Sequence, residues 1–291
     1  MLKNYLFLLG VGLIWGSQFL FQQKAVASLP PLWVGAGRAL VGCITLVLIC
    51  QLLDLRAKKK QWGMYHLIGF LEATVPFVLV AWGQQYLDTA VAAILMGTIP
   101  FFAILLSPLL VAGARITLAG LGSVVLGFGG VLTLFAPQLG AGVNAEIWGA
   151  LAIVVASACF AVALLLLKRL DGEDPLIIAR NVLIAATGQL LLVALVMAPI
   201  GSFEPTLPSL GSVIYLGVMC AGVVYFLYMV LIRHAGPVFA SLSNYLVPLV
   251  GVILAATLNS EELATTTWAA LVIILAAVGI NQLGASKAAE A

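Results

Sequence analysis

Ten long apolar segments, separated by short polar or charged loops, are the feature of this sequence that most restricts its fold. A helix needs about 20 residues to cross roughly 30 Å of hydrocarbon, because each residue adds about 1.5 Å. Within lipid, backbone N–H and C=O groups must be bonded inside the protein, so such a segment can cross a bilayer only as a helix. The segments therefore predict an all-α membrane protein with ten transmembrane helices.

Charges, prolines and short polar clusters mark the predicted ends of the spans. The spans cover residues 5–27, 32–53, 64–87, 90–112, 118–136, 147–169, 176–199, 211–233, 238–259 and 265–284. The first is interpreted as a span and not as a signal peptide, because its apolar run is longer than a usual signal core. The loops are too short to hold a soluble domain, so the function is expected to lie within the bilayer.

Composition excludes several other classes of protein. Of the 291 residues 63% are hydrophobic and only 8% are charged, against about 25% charged residues in a soluble domain. A net charge of +2 without a basic stripe argues against nucleic-acid binding. The four cysteines lie inside apolar runs without a CxxC pair, which argues against a zinc site or a disulfide framework.

Positive charges are distributed unevenly between alternate loops, and this asymmetry predicts the orientation. With the N-terminus in the cytoplasm, the cytoplasmic segments hold ten of the thirteen Lys and Arg residues. These ten are Lys3, Arg56, Lys58, Lys59, Lys60, Arg115, Lys168, Arg169, Arg233 and Lys287. Both termini are therefore predicted to be cytoplasmic.

The two halves of the chain resemble each other, which predicts an internal duplication. A shift of 144 residues aligns Lys24 with Lys168 and Pro31 with Pro175. A shift of 148 then aligns Gly69 with Gly217, Ala92 with Ala240, Pro100 with Pro248, Leu106 with Leu254 and Thr117 with Thr265. We predict one five-helix repeat over residues 1–140 and a second over 141–291. Because five is an odd number, the second copy is inverted, and two inverted copies can alternate between inward-open and outward-open arrangements.

Pro100 and Pro248 occupy aligned positions in the fourth and ninth spans. Each removes a backbone hydrogen bond and clashes with the preceding turn, so both helices are expected to kink at matched depths. This predicts a hinge beside a site at the bilayer midplane. A purely structural role stays open, because Pro76 and Pro108 have no aligned proline.

Polar and aromatic residues inside the spans are the candidates for a substrate cavity, because polar groups in lipid need partners or water. The candidates are Trp15, Phe19, Gln22, Glu72, Trp82, Met96, Thr98, Phe160, Tyr225, Tyr228, Asn244 and Tyr245. Aromatic rings attract an ammonium group and scattered polar groups replace part of its hydration, so the set suits a small amphipathic solute. For any single aromatic residue, packing or an interfacial position is the alternative.

Glu72 is the most costly of these residues, because a charged carboxylate near the centre of a membrane helix costs about 2.5 to 3.5 kcal/mol. It is expected either to face the cavity, where it binds an ammonium group or a proton, or to form a buried ion pair with Arg38 or Arg180. The two arginines lie near the starts of their spans, where their stems could snorkel, so packing or orientation is expected for both.

At this point the sequence resembles, over nearly its whole length, the EamA-type ten-helix carriers of the drug/metabolite transporter superfamily. The resemblance is carried by Trp15-Gly16-Ser17, the spacing from Pro31 to Arg38, Pro100 and the duplication. It implies a central cavity lined chiefly by the first, third, fourth, sixth, eighth and ninth helices, with the fifth and tenth packed outside.

Within that family the chain is most similar to bacterial amino-acid exporters. The similarity implies that a first-helix Trp, a third-helix Glu and the residues before the fourth-helix proline face the substrate. Those positions are Trp15, Glu72 and Gly97-Thr98-Ile99 here, and the last set lacks the bulky aromatics expected for a strictly aromatic substrate.

We therefore predict a secondary transporter that exports amino acids or similar small amphipathic metabolites across a bacterial cytoplasmic membrane by alternating access. A drug/metabolite or nucleotide-sugar carrier of the same architecture is the alternative. The sequence has no GxxxxGK[ST] motif for ATP and no cluster of catalytic groups, so an enzyme is not expected. We expect no cofactor and no metal. The expected partners are a small-molecule substrate (amino acids) and the lipid bilayer, without nucleic acid, and the monomer is expected to be functional.

Overall fold

The computed structural model describes residues 2–58, 61–136, 144–170, 172–199, 201 and 203–290. All regular secondary structure within these ranges is helical, which confirms the all-α prediction. The predicted boundary between the repeats at residues 140 and 141 lies outside the described residues, as do Lys59 and Lys60 of the predicted cytoplasmic charge cluster.

Ten helical segments follow one another in the order that the sequence predicts. They are Leu2–Val26, Pro31–Leu52, Trp62–Gly83, Thr89–Leu110, Leu118–Phe135, Ala145–Leu167, Pro175–Met197, Leu207–Gly236, Ser243–Leu258 and Thr265–Glu290, and are called the first to tenth helices here. Of the helices in the described ranges, nine are long and apolar enough to cross a membrane, and the ninth helix is shorter at 16 residues. The chain is therefore a multi-pass helical membrane protein.

Local sequence explains where several helices begin. Pro31 and Pro175, which the shift of 144 aligns, each occupy the first turn of a helix, where the missing N–H costs no bond. The seventh helix is also capped by Asp174, whose Oδ1 accepts a hydrogen bond from the Leu176 N–H at 2.9 Å. At the start of the sixth helix, Asn144 Oδ1 accepts from the Ile147 N–H at 3.1 Å.

The ninth helix begins later than predicted. The sequence predicts a span from residue 238, whereas the helix begins at Ser243, after a turn at Ser241 and Leu242. Gly236 has a φ of 83°, a conformation that glycine adopts without steric cost, and this ends the regular part of the eighth helix. Residues 237–240 are still helical beyond that glycine, and the turn at Ser241 and Leu242 separates them from the ninth helix.

Breaks in the fourth and ninth helices do not lie at equal distances from the aligned prolines. The fourth helix is interrupted at Gly97 and Thr98, and Pro100 follows in the first turn of its second part. Pro248 instead lies inside a helix that continues to Leu258. The kinks therefore do not match in depth, and the hinge role of the two prolines stays a prediction.

Two π-helical turns do lie at nearly equivalent places in the two halves. One covers Phe70–Thr74 in the third helix and the other covers Met219–Val223 in the eighth. Each begins one or two residues after the aligned glycines Gly69 and Gly217. In the third helix Pro76 cannot bond the carbonyl of Glu72, which favours the wider turn there.

Most helix contacts between the two halves occur in equivalent pairs. In such a pair, a helix of the first half packs against a helix of the second half, and the helices at the corresponding positions of the other half also pack against each other. The first helix packs against the eighth and ninth, and the sixth packs against the third and fourth. The second helix packs against the seventh and eighth, and the third against the seventh. The fourth packs against the ninth and the fifth against the tenth, and each of these pairs is its own counterpart.

The aligned glycines make equivalent close contacts in this pattern. A Cβ added to Gly69 would lie 2.7 Å from the backbone oxygen of Val182 in the seventh helix. A Cβ added to Gly217 would lie 3.0 Å from the backbone nitrogen of Gly42 in the second helix and would overlap the side chain of Val41. Small residues therefore allow the backbones of the two halves to approach each other closely.

Gly12 and Gly16 join the first helix to the ninth. A Cβ at Gly16 would lie 2.5 Å from Val250 Cβ and 3.0 Å from the Val247 carbonyl oxygen. A Cβ at Gly12 would lie 2.5 Å from Leu246 Cβ. A side chain at either position would therefore overlap the ninth helix.

Replacing Gly69 or Gly217 with alanine is expected to destabilise the folded bundle by about 1–3 kcal/mol, because overpacking forces the backbones apart. Gly129→Ala is the matched control, since a Cβ at this helical position meets nothing within 4 Å. Thermal unfolding of the detergent-solubilised chain measures the effect. Equal midpoints for all three variants would contradict the inferred helix contacts.

Candidate functional site

Glu72 and Tyr225 form a hydrogen bond that joins the two halves near the middle of the bundle. Tyr225 in the eighth helix donates its hydroxyl to Glu72 Oε1 at 2.7 Å. Glu72 lies in the π turn of the third helix, ten residues after that helix begins at Trp62 and eleven before it ends at Gly83. The carboxylate is therefore held at a depth where water is scarce and partners are few.

Glu72 is not paired with an arginine. The salt bridges among the described residues join Arg56 to Asp54 and Arg233 to Asp174. The predicted alternative of an ion pair between Glu72 and Arg38 or Arg180 is therefore wrong. Arg180 is instead bonded to its neighbour Asn181, whose Oδ1 accepts from both Nε and Nη2.

Aromatic side chains surround the Glu72 and Tyr225 pair. The ring of Trp15 in the first helix meets Tyr225 edge to face at a centroid distance of 6.1 Å, and lies 5.3 Å from Tyr228. Tyr225 and Tyr228 therefore share one face of the eighth helix, as their spacing predicts. Phe160 in the sixth helix packs against the buried clusters on both sides of the bundle, one of which includes Tyr225.

Arg38 of the second helix lies within the same region and is buried, with only 6% of its surface exposed. Its Nη2 donates to Gln18 Oε1 at 2.8 Å, and its guanidinium carbon lies 4.1 Å from the centre of the Phe77 ring. Its Nε has no hydrogen-bond partner. Arg38 therefore packs inside the bundle, and its stem does not snorkel to the membrane surface.

Two first-helix candidates, Phe19 and Gln22, are enclosed by neighbouring helices. Phe19 is fully buried, and its carbonyl oxygen accepts from Gln84 Nε2 at 2.9 Å. Gln22 is 1% exposed, with its Nε2 3.5 Å from the Phe77 carbonyl oxygen and its Oε1 unpaired. Gln22 and Arg38 thus approach Phe77 from different helices.

Met96 and Thr98 lie at the break in the fourth helix, facing the sixth. Thr98 is fully buried and its hydroxyl donates to the Leu95 carbonyl oxygen at 2.7 Å, within the turn. Ser157 of the sixth helix approaches the same carbonyl at 3.3 Å and the Met96 sulfur at 3.5 Å. At the break, the Leu95 carbonyl oxygen therefore lies within reach of Ser157 from the second half of the bundle.

Three candidates lie away from the Glu72 and Tyr225 pair. Trp82 is near the end of the third helix and packs edge to face with Tyr86 at 5.1 Å. Asn244 is exposed at the start of the ninth helix. Tyr245 lines an apolar groove of about 410 Å³ between the first and ninth helices. These three residues stay predictions without a contact to the central pair.

A polar network joins the halves at the end of the bundle opposite the N-terminus. Gln23 Oε1 accepts from the Thr89 hydroxyl at 2.7 Å and from Asn259 Nδ2 at 2.6 Å. The two carboxylate oxygens of Glu261 accept from the backbone N–H groups of Thr89 and Ala90, at 2.9 and 3.1 Å. Glu261 from the second half therefore caps the fourth helix of the first half, where an anion is favoured.

Asp88 lies beside this network. Burial raises the pKa of its carboxyl group, and the neighbouring Glu261 and Glu146 carboxylates raise it further. Because the folded-state pKa is raised, ionised Asp88 destabilises this end of the bundle at neutral pH, and the cost is relieved as the pH falls through that pKa.

Known proteins resemble this chain along most of its length. A profile described as the EamA-like transporter family matches residues 2–136 and 147–282. The uncharacterized inner membrane transporter YedA of Escherichia coli (strain K12) is 29% identical over 280 residues, which cover 94% of this chain and 88% of that protein. The uncharacterized transporter YoaV of Bacillus subtilis (strain 168) is 23% identical over 252 residues, covering 85% and 86%.

A solved crystal structure of a protein has the same fold. It is 17% identical in sequence, with a TM-score of 0.72 and 98% of each chain covered. The similarity therefore extends from the first helix to the tenth.

Replacing Glu261 with alanine is expected to loosen the end of the bundle where the network lies. The Thr89 and Ala90 N–H groups lose their acceptors, and an unpaired buried donor costs about 1–3 kcal/mol. Ala90→Cys, at a position that is fully buried here, reports the opening by its rate of labelling with a membrane-impermeant maleimide in a background free of other cysteines. Glu262→Ala is the matched control, because Glu262 is exposed. Equal labelling rates in both backgrounds would show that the network does not close this end.

Proposed function

Because the chain belongs to the EamA-like transporter family, we propose that it is a secondary transporter that exports amino acids or similar small amphipathic metabolites. Its relatives in Escherichia coli and Bacillus subtilis are named as transporters, the former of the inner membrane. We place this chain in a bacterial cytoplasmic membrane, with both termini in the cytoplasm and the monomer as the functional unit.

The observation that carries the proposal is the Glu72 and Tyr225 pair, which lies at the contact between the two halves. A carboxylate next to the faces and edges of Trp15 and Tyr228 offers an ammonium group both charge and π-electron density. In carriers built from inverted repeats, the substrate site lies at the repeat interface near the midplane. The Glu72 and Tyr225 pair combines a carboxylate with neighbouring aromatic rings, and it joins the third helix of one half to the eighth helix of the other.

Alternating access needs two halves of similar structure, and three observations support them. The family profile matches two successive segments, residues 2–136 and 147–282. The π turns lie at nearly equivalent positions, and the contacts between halves are unchanged by exchange of the halves. In the proposed orientation, the network of Gln23 and Glu261 closes the outer face, and export requires this network to break while contacts at the inner face form.

The inverted arrangement is tested by topology. Residues near the start of the sixth helix should lie outside the cell and the C-terminus inside, because five spans separate them. A cysteine at Ala145 is expected to react with an impermeant maleimide in intact cells, whereas a C-terminal epitope tag should bind antibody only after permeabilisation. If both sites lay on the same face, the two halves would not be inverted copies.

The role of Glu72 is tested by Glu72→Gln in proteoliposomes. Removing the charge is expected to reduce amino-acid counterflow by about tenfold or more, because one charge-assisted bond is worth about 1.5–3 kcal/mol. The pH dependence of the remaining rate should also flatten. Glu262→Gln controls for the loss of a carboxylate elsewhere. An unchanged rate and an unchanged pH profile would remove Glu72 from the transport cycle.

A further inference from the structure

Arg38 carries a charge that forms no ion pair with the described residues. Its side chain is 94% buried, and the salt bridges of the described residues do not include it. A guanidinium stays protonated in proteins, so Arg38 cannot relieve the cost of burial by releasing a proton. A buried cation of this kind needs an anion, and in a membrane helix such a residue marks a functional site.

The surroundings of Arg38 hold the guanidinium in place and leave part of it unused. Gln18 accepts one hydrogen bond from Nη2, and the Phe77 ring covers one face of the guanidinium plane. Gln18 is a neutral partner, so it orients the charge without neutralising it. The Nε–H is buried and unpaired, and a guanidinium edge with a free N–H suits a carboxylate that accepts two parallel bonds.

Glu72 presents the opposite charge in the same region. Phe77, which stacks on Arg38, and Tyr225, which bonds the Glu72 carboxylate, pack in the same apolar cluster. Phe77, which Arg38 covers, lies five residues after Glu72 on the third helix, or about 7.5 Å along an α-helical axis. Two opposite charges that approach one cluster from different helices without pairing match a solute that carries both charges.

Resting on the proposed function, we propose that Arg38 binds the carboxylate of the exported solute while Glu72 and Tyr225 bind its ammonium group. The site therefore recognises an α-amino acid as a zwitterion, and the aromatic surface of Trp15 and Tyr228 receives its side chain. When the solute is bound, Arg38 and Glu72 each have an ionic partner. A solute with only one of the two groups leaves one of these two charges without an ionic partner.

This arrangement favours a zwitterion over a nucleotide sugar. A diphosphate carries two or more negative charges, and Glu72 repels them at close range. The second arginine within the spans, Arg180, has its Nε and Nη2 bonded to Asn181. One cation beside one carboxylate matches the charge pattern of an amino acid.

The first experiment compares analogues on the unmodified full-length protein in proteoliposomes. Counterflow of a panel of radiolabelled amino acids identifies one that is carried. Three unlabelled competitors are then compared, namely the same amino acid, its primary amide, which lacks the carboxylate, and its N-acetyl derivative, which lacks the ammonium group. Both derivatives are expected to compete at least about tenfold more weakly, since each loses a charge-assisted interaction worth about one decade or more in affinity.

Variants then assign each group to its residue. In Arg38→Gln the carried amino acid should bind at least about tenfold more weakly, and its preference over the amide should fall to within about twofold. In Glu72→Gln the preference over the N-acetyl derivative should fall, while the preference over the amide remains. Arg180→Gln, which also removes a partly buried arginine, is the matched control and should keep both preferences.

Three results would overturn the inference. If the unmodified protein carries an amino acid but binds its amide equally well, Arg38 is not a carboxylate site, although the proposed function stands. The same conclusion follows if Arg38→Gln folds and keeps the preference for the acid over the amide. If no amino acid is carried while a uridine-diphosphate sugar is, both the inference and the proposed function are wrong. The analogue comparison decides the first case even if Arg38→Gln fails to fold.

Discussion

Hydrocarbon offers no hydrogen bonds, so every polar group carried into the bundle must find its partner in the protein or in what the protein binds. The backbone meets this constraint by forming helices. Glu72 meets it partly, through the hydroxyl of Tyr225. Arg38 meets it least, with a neutral amide and an aromatic ring beside a full positive charge. The places where the constraint is incompletely met are the places where a solute can contribute binding energy, and the Glu72 and Tyr225 pair lies between the halves.

Helix packing in this chain depends on glycines, because the missing side chain lets neighbouring helices approach closely. Water does not drive apolar helices together inside lipid, so close contact of surfaces must supply the attraction. Gly16 brings the first helix onto the ninth, while Gly69 and Gly217 bring the third and eighth helices onto the seventh and second. Polar bonds are placed at the bundle end and at its centre, as at Glu261 and Glu72, where they join one half to the other. The close glycine contacts and the polar bonds named here all join one half of the bundle to the other.

The number, order and ends of most helices could be predicted from hydropathy, charges and prolines, and the family membership inferred from Trp15-Gly16-Ser17 and Pro31 to Arg38 is confirmed. The late start of the ninth helix could not be predicted, because the left-handed Gly236 and the turn at Ser241 and Leu242 lie inside an apolar run. Residue type identified Glu72, Tyr225 and Trp15 as possible neighbours. It did not separate them from Trp82 or Tyr245, since the direction of a side chain depends on local helix geometry. The partners of Arg38 could not be predicted for the same reason, because the sequence gives the depth of a residue along a helix but not the residues that face it.

The π turn in the third helix changes which side of the helix faces a given neighbour before and after the turn. One extra residue in a turn rotates everything beyond it by about 100° relative to an uninterrupted α-helix. Before the turn, Gly69 packs against the seventh helix, and beyond it Gly83 packs against Gly149 of the sixth. The third helix therefore contacts two different neighbours through Gly69 and Gly83. An unbroken α-helix could not place these two small residues against two different helices. Deleting one residue from 70–74 would remove the extra residue and leave a regular α-helix whose far portion still faces the sixth helix. Deleting one residue between the π turn and Gly83 would instead turn Gly83 away from the sixth helix, although the segment would still be long enough to cross lipid.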